Sequence, residues 1–366
     1  MLAANYKNAK PDTQAFLVLS NGMVFRGDGF GAKKTSTGEV VFNTGMVGYC
    51  ESITDPSYKG QILCQTYPMI GNYGVDPDSF ESDKPKIEGY LIHELCESPS
   101  HRTSVCSLNE WLSREGIPGI TGIDTRTLTK TLRIHGVMLG VISNDGTDPE
   151  KLKEIAKNMP NPNEIDLVSE VTTKEPKEYN TNGKMRVVIL DCGAKENIIR
   201  SLVARDVHVI RVPANFNADK IMSYNPDGIL ISNGPGDPKK VDYAIETTKN
   251  LIEYKIPIFG ICLGVQLLAL ALGGNTYKLK FGHRGQNHPV IDANNRCYIT
   301  SQNHGFAVDV KNCEDVKVTM THGNDKSIEG VAHTRLPVFG VQFHPEAAPG
   351  PVDTGFLFDK FVRMAR

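Results

Sequence analysis

The chain has 366 residues, enough for two domains of about 150 residues each with an ample core in both. Hydrophobic residues make up 40% and charged residues 22%, an ordinary globular balance, and a formal net charge of -2 gives no electrostatic drive toward nucleic acid or an anionic membrane surface. No apolar run approaches the length of a bilayer span. Met1 to Thr13 is polar and lacks the apolar core of a signal peptide, and the first arginine is Arg26, so an Arg-rich transit peptide is not expected. The eight cysteines (Cys50, Cys64, Cys96, Cys106, Cys192, Cys262, Cys297 and Cys313) form no C-x-x-C pair, and most sit in apolar runs. That usage points to reduced thiols in a cytoplasmic protein, with no disulfide framework and no zinc knuckle.

In chain order, Ala15 to Leu19 and Met23 to Phe25 flank Asn21-Gly22, the strongest short hairpin signal. Glu39 to Asn43, Gln61 to Tyr67, Tyr90 to Leu95 and Val137 to Ile142 read as further strands. Ser107-Leu108-Asn109-Glu110 is a capping box that starts a short helix ended by Gly116, and Asp124-Thr125 starts another through Leu128 and Leu132. This front half is expected to be a smaller mixed α/β domain without a clean strand–helix–strand rhythm. From Asn161 to Gly183 the apolar residues thin out, so the domains are placed at 1–160 and 185–366 with a linker over 161–184.

The second half has a different rhythm. Val187 to Leu190 is a continuous apolar run, as expected for a strand covered on both faces. Asn197 to Ala204 reads as helix, Val207 to Val212 and Gly228 to Ser232 as strands, and Tyr243 to Tyr254 as helix. A strand from Ile256 to Gly260 then runs into a helix from Val265 to Leu272; Val338 to Phe343 is another strand and Thr354 to Met364 a closing helix. Strands alternating with helices imply a doubly wound, mostly parallel sheet, whose sites lie at the carboxyl ends of its strands.

Three segments sit at such ends. Gly260-Ile261-Cys262-Leu263-Gly264 reads as a strand-to-helix elbow that lifts one side chain clear of the sheet, with a helix N-terminus aimed at the sulfur. Alone, it fits a buried core cysteine as well as a nucleophile. His344-Pro345-Glu346 puts a histidine and a carboxylate two residues apart in extended chain, the pair a cysteine nucleophile needs, although an isolated H-P-E also suits a solvated loop. Ser232-Asn233-Gly234-Pro235-Gly236-Asp237-Pro238 has glycines that let backbone N–H groups approach a ligand, as an oxyanion site requires, or it is a plain turn. No Walker loop, Rossmann fingerprint or metal-ligand spacing is present.

Taken together, these three segments resemble a class I (triad) glutamine amidotransferase domain over roughly residues 185–366. Gly48-Tyr49, Ile53-Thr54-Asp55-Pro56-Ser57-Tyr58, Ile70-Gly71-Asn72 and Gly122-Ile123-Asp124-Thr125-Arg126 add a resemblance to the small, glutaminase subunits of carbamoyl phosphate synthetases. So do Asp191-Cys192-Gly193-Ala194-Lys195 and Ser301-Gln302-Asn303-His304-Gly305-Phe306-Ala307, and the likeness covers nearly the whole chain.

The resemblance implies a catalytic triad of Cys262, His344 and Glu346, and backbone N–H groups of Leu263 and Gly234 at the oxyanion and substrate carbonyl. It places L-glutamine on Ser57, Gly234, Gly236, Leu263, Gln266, Asn303, Gly305 and Phe306. Ser57 lies in the front half, so that domain is expected to close on the site. The implied reaction is hydrolysis of glutamine to glutamate and ammonia through a glutamyl thioester. No cofactor is expected in this chain, since it has no recognisable ATP site. ATP, magnesium and bicarbonate belong to the implied partner, a large subunit that makes carbamoyl phosphate for pyrimidine or arginine synthesis, with the two chains forming a heterodimer. Cys192 is expected to pack in the core and His304 to be structural, while His283 and His288 have no role assigned. The competing readings are a glutaminase for another synthetase, a thiol hydrolase of another amide and a subunit without catalytic activity.

Overall fold

The computed structural model describes residues 14–366, so the expectation drawn from Met1 to Thr13 lies outside the described residues. The Asn-Gly hairpin opens the first half: β1 (Gln14–Leu19) and β2 (Val24–Gly31) pair antiparallel, with Gly22 at φ +88° in the turn. There follow β3 (Thr35–Asn43), α1 (Tyr49–Thr54), β4 (Gln61–Gln65), β5 (Met69–Ile70), β6 (Gly89–Leu91) and β7 (Glu94–Leu95). Then come α2 (Leu108–Arg114), β8 (Pro118–Thr121), α3 (Thr125–His135), β9 (Met138–Ser143) and α4 (Pro149–Asn158). Ser107 and Glu110 make the reciprocal capping-box bonds of α2, and the Asp124 side chain caps α3.

Seven strands close into a barrel in the order β1-β2-β8-β6-β4-β3-β9. The pairs β3/β4, β4/β6 and β6/β8 are parallel and the rest antiparallel, which is why no single rhythm is visible in this half. Alternation sorts the side chains: Val40, Phe42, Ile62, Cys64 and Leu91 share one cluster with Leu17, Ile120 and Ile142, while Val41, Leu63 and Tyr90 join Tyr49, Ile53 and Trp111 in another. The expected strand Tyr90 to Leu95 is divided. Its first part stays in the barrel, and Glu94–Leu95 leaves it to pair with β5.

The segment read as a linker is ordered. It carries α5 (Val168–Val171), with Leu167, Val168 and Val171 buried, and β10 (Lys177–Tyr179), an antiparallel edge strand on the second sheet. Three apolar residues suffice to dock it, and a mostly polar composition hides them.

The second half comprises β11 (Met185–Asp191), α6 (Glu196–Val203), β12 (Val207–Pro213), α7 (Ala218–Met222), β13 (Gly228–Ile231), α8 (Asp242–Glu253) and β14 (Ile258–Ile261). It continues with α9 (Leu263–Ala271), β15 (Asn275–Asp292), β16 (Cys297–Asp309), β17 (Val316–His322), β18 (Ile328–His333), β19 (Val338–Val341) and α10 (Phe356–Met364). The sheet order is β10-β12-β11-β13-β14-β19-β18-β16-β15-β17, parallel from β12 to β19. In β11, Val187 and Ile189 pack with residues of α6 and α10, whereas Val188 and Leu190 pack with residues of α7, α8 and α9. The strands β15 to β18 form an antiparallel extension that local sequence pattern does not announce. Register breaks between Lys278 and His283, and between Gly285 and His288, erase the alternation that would have marked β15.

The close approach of α9 to the sheet depends on two missing side chains. A Cβ on Gly264 would stand 2.1 Å from the Ile231 carbonyl oxygen, and one on Gly260 would stand 2.7 Å from the Gly264 backbone. Replacing Gly264→Ala is therefore expected to push α9 off β13 and to destabilise the fold by about 1–3 kcal/mol, read as a lowered urea midpoint. An unchanged midpoint would show that the helix start tolerates displacement.

Candidate active site

Cys262 joins β14 to α9 with φ +53° and ψ -104°, a conformation that non-glycine residues rarely adopt. The strain falls on the cysteine itself; its glycine neighbours serve close packing, since neither has a positive φ. The Cys262 N–H donates to the Val341 carbonyl at 2.8 Å, and Sγ lies 3.7 Å from the Asn303 carbonyl oxygen. The residue is 2% exposed. α9 begins at Leu263, so its free N–H groups and positive end adjoin the sulfur.

His344 follows β19 and is held by its N–H, which donates to the Ser301 carbonyl at 2.9 Å. Its Nδ1 lies 2.6 Å from Glu346 Oε1, and both side chains are fully buried. His344 Nε2 has no hydrogen-bond partner among the described residues, which leaves that nitrogen free to serve Cys262. Burial, and to a lesser degree Lys195, work against the imidazolium, but the carboxylate of Glu346 and the Cys262 sulfur outweigh them and raise its pKa to about 10. Burial likewise disfavours the charge on Glu346, yet His344 and Lys195 bring its pKa down to about 2.

Lys195 is a member that sequence reasoning missed, although it stood inside one of the motifs. Its Nζ lies 3.5 Å from Glu346 Oε1 and 3.4 Å from Asp55 Oδ2. Burial opposes the ammonium, and those two carboxylates more than compensate, pushing its pKa up. Asp55 was missed in the same way. It follows α1 in the front half, accepts the Ser57 N–H at 2.9 Å through Oδ1, and accepts from Asn303 Nδ2 at 2.9 Å through Oδ2. Asn233 completes the bridge between the halves, donating to Ser57 Oγ at 3.0 Å and accepting the Lys195 N–H at 3.1 Å.

One cleft gathers Cys262 with Ser57, Gly234, Gly236, Gln266, Asn303, Gly305 and Phe306. Leu263, the remaining expected residue, is not in its lining and lies next to Cys262 in the chain. Gln266 directs its amide nitrogen to the Phe306 carbonyl at 3.0 Å and to Gln342 Oε1 at 3.1 Å, so it braces the wall it was expected to share. The cleft also takes in Glu39, Lys278 and Arg284, none of them foreseen. Glu39 pairs with Lys278 at 2.5 Å, and the buried Arg284 leaves Nε without an acceptor among the described residues. His304, expected to be structural, lines the cleft as well.

All eight cysteines are free. Burial pushes the thiols of Cys50 and Cys64 up to about 12 and that of Cys192 higher still, which suits packing and not nucleophilic chemistry.

Residues 188–364 match the family described as Glutamine amidotransferase class-I, and residues 17–142 match Carbamoyl-phosphate synthase small chain, CPSase domain. The carbamoyl phosphate synthase small chain of Archaeoglobus fulgidus is 50% identical over 355 residues, covering 96% of this chain and 99% of that protein. The protein of the same name from Methanocaldococcus jannaschii is 51% identical over 358 residues, again covering 96% and 99%. Among solved structures, a glutamine amidotransferase from Thermotoga maritima aligns with 18% identity and a TM-score of 0.34, covering 44% of this chain and 76% of that one. No helix among the described residues is long and apolar enough to cross a membrane. On these sequence matches, which together span both halves, the chain belongs to the carbamoyl phosphate synthase small-chain family.

Proposed function

We propose that this protein hydrolyses L-glutamine to glutamate and ammonia and delivers the ammonia to a large subunit that makes carbamoyl phosphate from bicarbonate and two ATP. The observation that carries the reading is a cysteine at positive φ on a strand-to-helix turn, in a cleft beside a buried histidine whose Nδ1 is 2.6 Å from a carboxylate. The domains divide as a barrel within 1–160 that also meets the partner, a connecting segment over 161–184, and a doubly wound glutaminase domain over 185–366.

In this mechanism the Cys262 sulfur attacks the side-chain amide carbon of glutamine, and the N–H groups of Leu263 and Gly234 hold the oxyanion. The His344 imidazolium gives its proton to the departing nitrogen, so ammonia leaves and a glutamyl thioester remains. Neutral His344 then takes a proton from water, whose attack frees glutamate. Glu346 fixes the tautomer of His344 and balances its charge. Ser57, Gly236, Gln266, Asn303, Gly305 and Phe306 orient the substrate. Glu39 and Arg284 in its lining give the cleft both signs of charge, which complements a zwitterionic amino acid. The large subunit supplies the ATP and magnesium chemistry.

Glutamine hydrolysis by the purified chain, measured as glutamate released, is expected to fall at least about a thousandfold in Cys262→Ser. The rate should rise when the large subunit, MgATP and bicarbonate are added, as coupled sites require. Undiminished hydrolysis in Cys262→Ser removes the sulfur from the reaction. Faster cleavage of a peptide amide than of glutamine replaces this reading with a general thiol hydrolase.

The charge pair also sets a pH dependence. His344 titrates higher in the folded protein than in the unfolded chain, so its stabilisation is complete below pH 6.5 and is lost as pH rises toward about 10. Glu346 titrates lower than usual, so its contribution is present above pH 4.5 and is lost as pH falls toward about 2. Urea midpoints of the wild type should therefore decline more steeply between pH 6.5 and 10 than those of Glu346→Gln, where the larger raising influence is gone and only that of Cys262 remains. Parallel curves for the two proteins would contradict the ion pair.

A further inference from the structure

The antiparallel extension brings three ligand-type side chains to one buried point next to the cleft. His283 stands on β15, His304 on β16 and Glu329 on β18, and they are 5%, 4% and 0% exposed. His283 Nδ1 lies 3.2 Å from His304 Nε2 and 3.4 Å from Glu329 Oε1, and the last two atoms are 4.0 Å apart. Around an ion bound at about 2.0–2.2 Å, tetrahedral nitrogen and oxygen ligands sit about 3.3–3.6 Å apart. Two of the separations match that spacing closely, and the third, at 4.0 Å, requires Glu329 Oε1 to draw inward when an ion binds.

The far side of each group shows which of its atoms faces the centre. His304 Nδ1 lies 2.7 Å from the Phe306 carbonyl oxygen, an acceptor, so Nδ1 carries the proton and Nε2 does not. His283 Nε2 lies 2.8 Å from Asp325 Oδ2, which places a proton on Nε2, so Nδ1 faces the centre either as a lone pair or as an N–H whose proton a cation would displace. Glu329 Oε2 accepts from Gln302 Nε2 at 3.0 Å, while its Oε1 is buried with no hydrogen-bond partner among the described residues. The same orientation of Gln302 aims Oε1 at His304 Nε2 from 2.9 Å, one acceptor against another. Lone pairs converging in a water-excluded spot are costly unless a positive charge lies among them.

We infer that His283, His304 and Glu329 form a binding site for a divalent cation of the zinc class, held through Nδ1, Nε2 and Oε1 respectively. Each ligand is oriented from behind, His283 by a carboxylate, His304 by a backbone carbonyl and Glu329 by an amide, the outer arrangement that fixes ligand tautomers at metal centres. With both carboxylates ionised, a divalent ion at the centre balances Asp325 and Glu329, displacing any proton that His283 and Glu329 share there. Gln302 Oε1 is the nearest further donor. Such an ion ties β15, β16 and β18 together directly behind Asn303, Gly305 and Phe306, and so holds the wall of the cleft in register. The site is illegible in sequence because its ligands come from three strands, with no short spacing between them.

The test uses the untagged full chain carrying Cys262→Ser, which removes the cleft thiol as a ligand, stripped with a chelator and titrated with Co2+ and then Zn2+. One equivalent of Co2+ is expected, giving visible bands of nitrogen and oxygen coordination, with no near-ultraviolet thiolate band, and released by Zn2+. Glu329→Gln and His283→Gln should weaken binding at least about 100-fold, and Asp325→Asn by about 10–100-fold. No saturable binding, equal binding in all variants or a thiolate band would each overturn the proposal, the first leaving a shared proton as the occupant. If Glu329→Gln does not fold, Asp325→Asn carries the test, because the Asp325 side chain is 45% exposed.

Discussion

Lys195 is the cation on which the buried charges of the site depend. A carboxylate as deeply buried as Glu346 costs several kcal/mol in lost hydration, and an imidazolium beside it costs a similar amount. The carboxylate remains charged because Lys195 Nζ lies between Glu346 and Asp55, each within 3.5 Å, and the ionised Glu346 in turn holds the imidazolium against burial and Lys195. Asp55 comes from the barrel half, and its two oxygens also hold the Ser57 N–H and the Asn303 side chain. Removing any one of these groups leaves an uncompensated charge in a dry site, which is far more costly than never burying it. The two halves are therefore joined by electrostatics at the point where the chemistry is proposed, and the barrel half is part of the site.

The elbow shows how backbone sterics reach the chemistry. Without a side chain on Gly264, α9 can start hard against Ile231; that start aims free N–H groups at the sulfur, and the chain enters it only through a strained Cys262. The Val341 carbonyl, taking the Cys262 N–H, opposes relaxation of that strain, and Val341 belongs to the strand that leads to His344. One hydrogen bond thus ties the nucleophile to the element that carries its base.

What the sequence made legible followed short-range rules. The apolar runs at Val187 to Leu190 and Ile256 to Gly260, the capping box at Ser107 and the Asn-Gly hairpin each depend on a few neighbouring residues, and each lies within a turn or strand of its expected place. The site was legible to the extent that its members sat in compact motifs. Lys195, Asp55 and Asn233 lay inside those motifs without assigned roles, because a buried charge is recognised only by what surrounds it. Features made by long-range pairing stayed hidden. Barrel closure needs β9 to meet β1 across more than a hundred residues, and β15 pairs with β16 through two register breaks. In the elbow the positive φ sits on the cysteine while the glycines admit the helix, a division of labour that only the packing against Ile231 decides.

Burial at this site has a chemical consequence on the proposed reading. Ammonia set free in bulk water at neutral pH is mostly ammonium, which is not a nucleophile. Here the proton donor for the leaving nitrogen is His344, which becomes neutral on giving up its proton and then acts as the base toward water. The other nearby cation, Lys195, is held by two carboxylates that keep its proton in place. Cys262 and His344 are shielded from solvent almost completely, so no bulk acid reaches the product. The burial that makes Lys195 necessary is thus also what lets ammonia leave as ammonia.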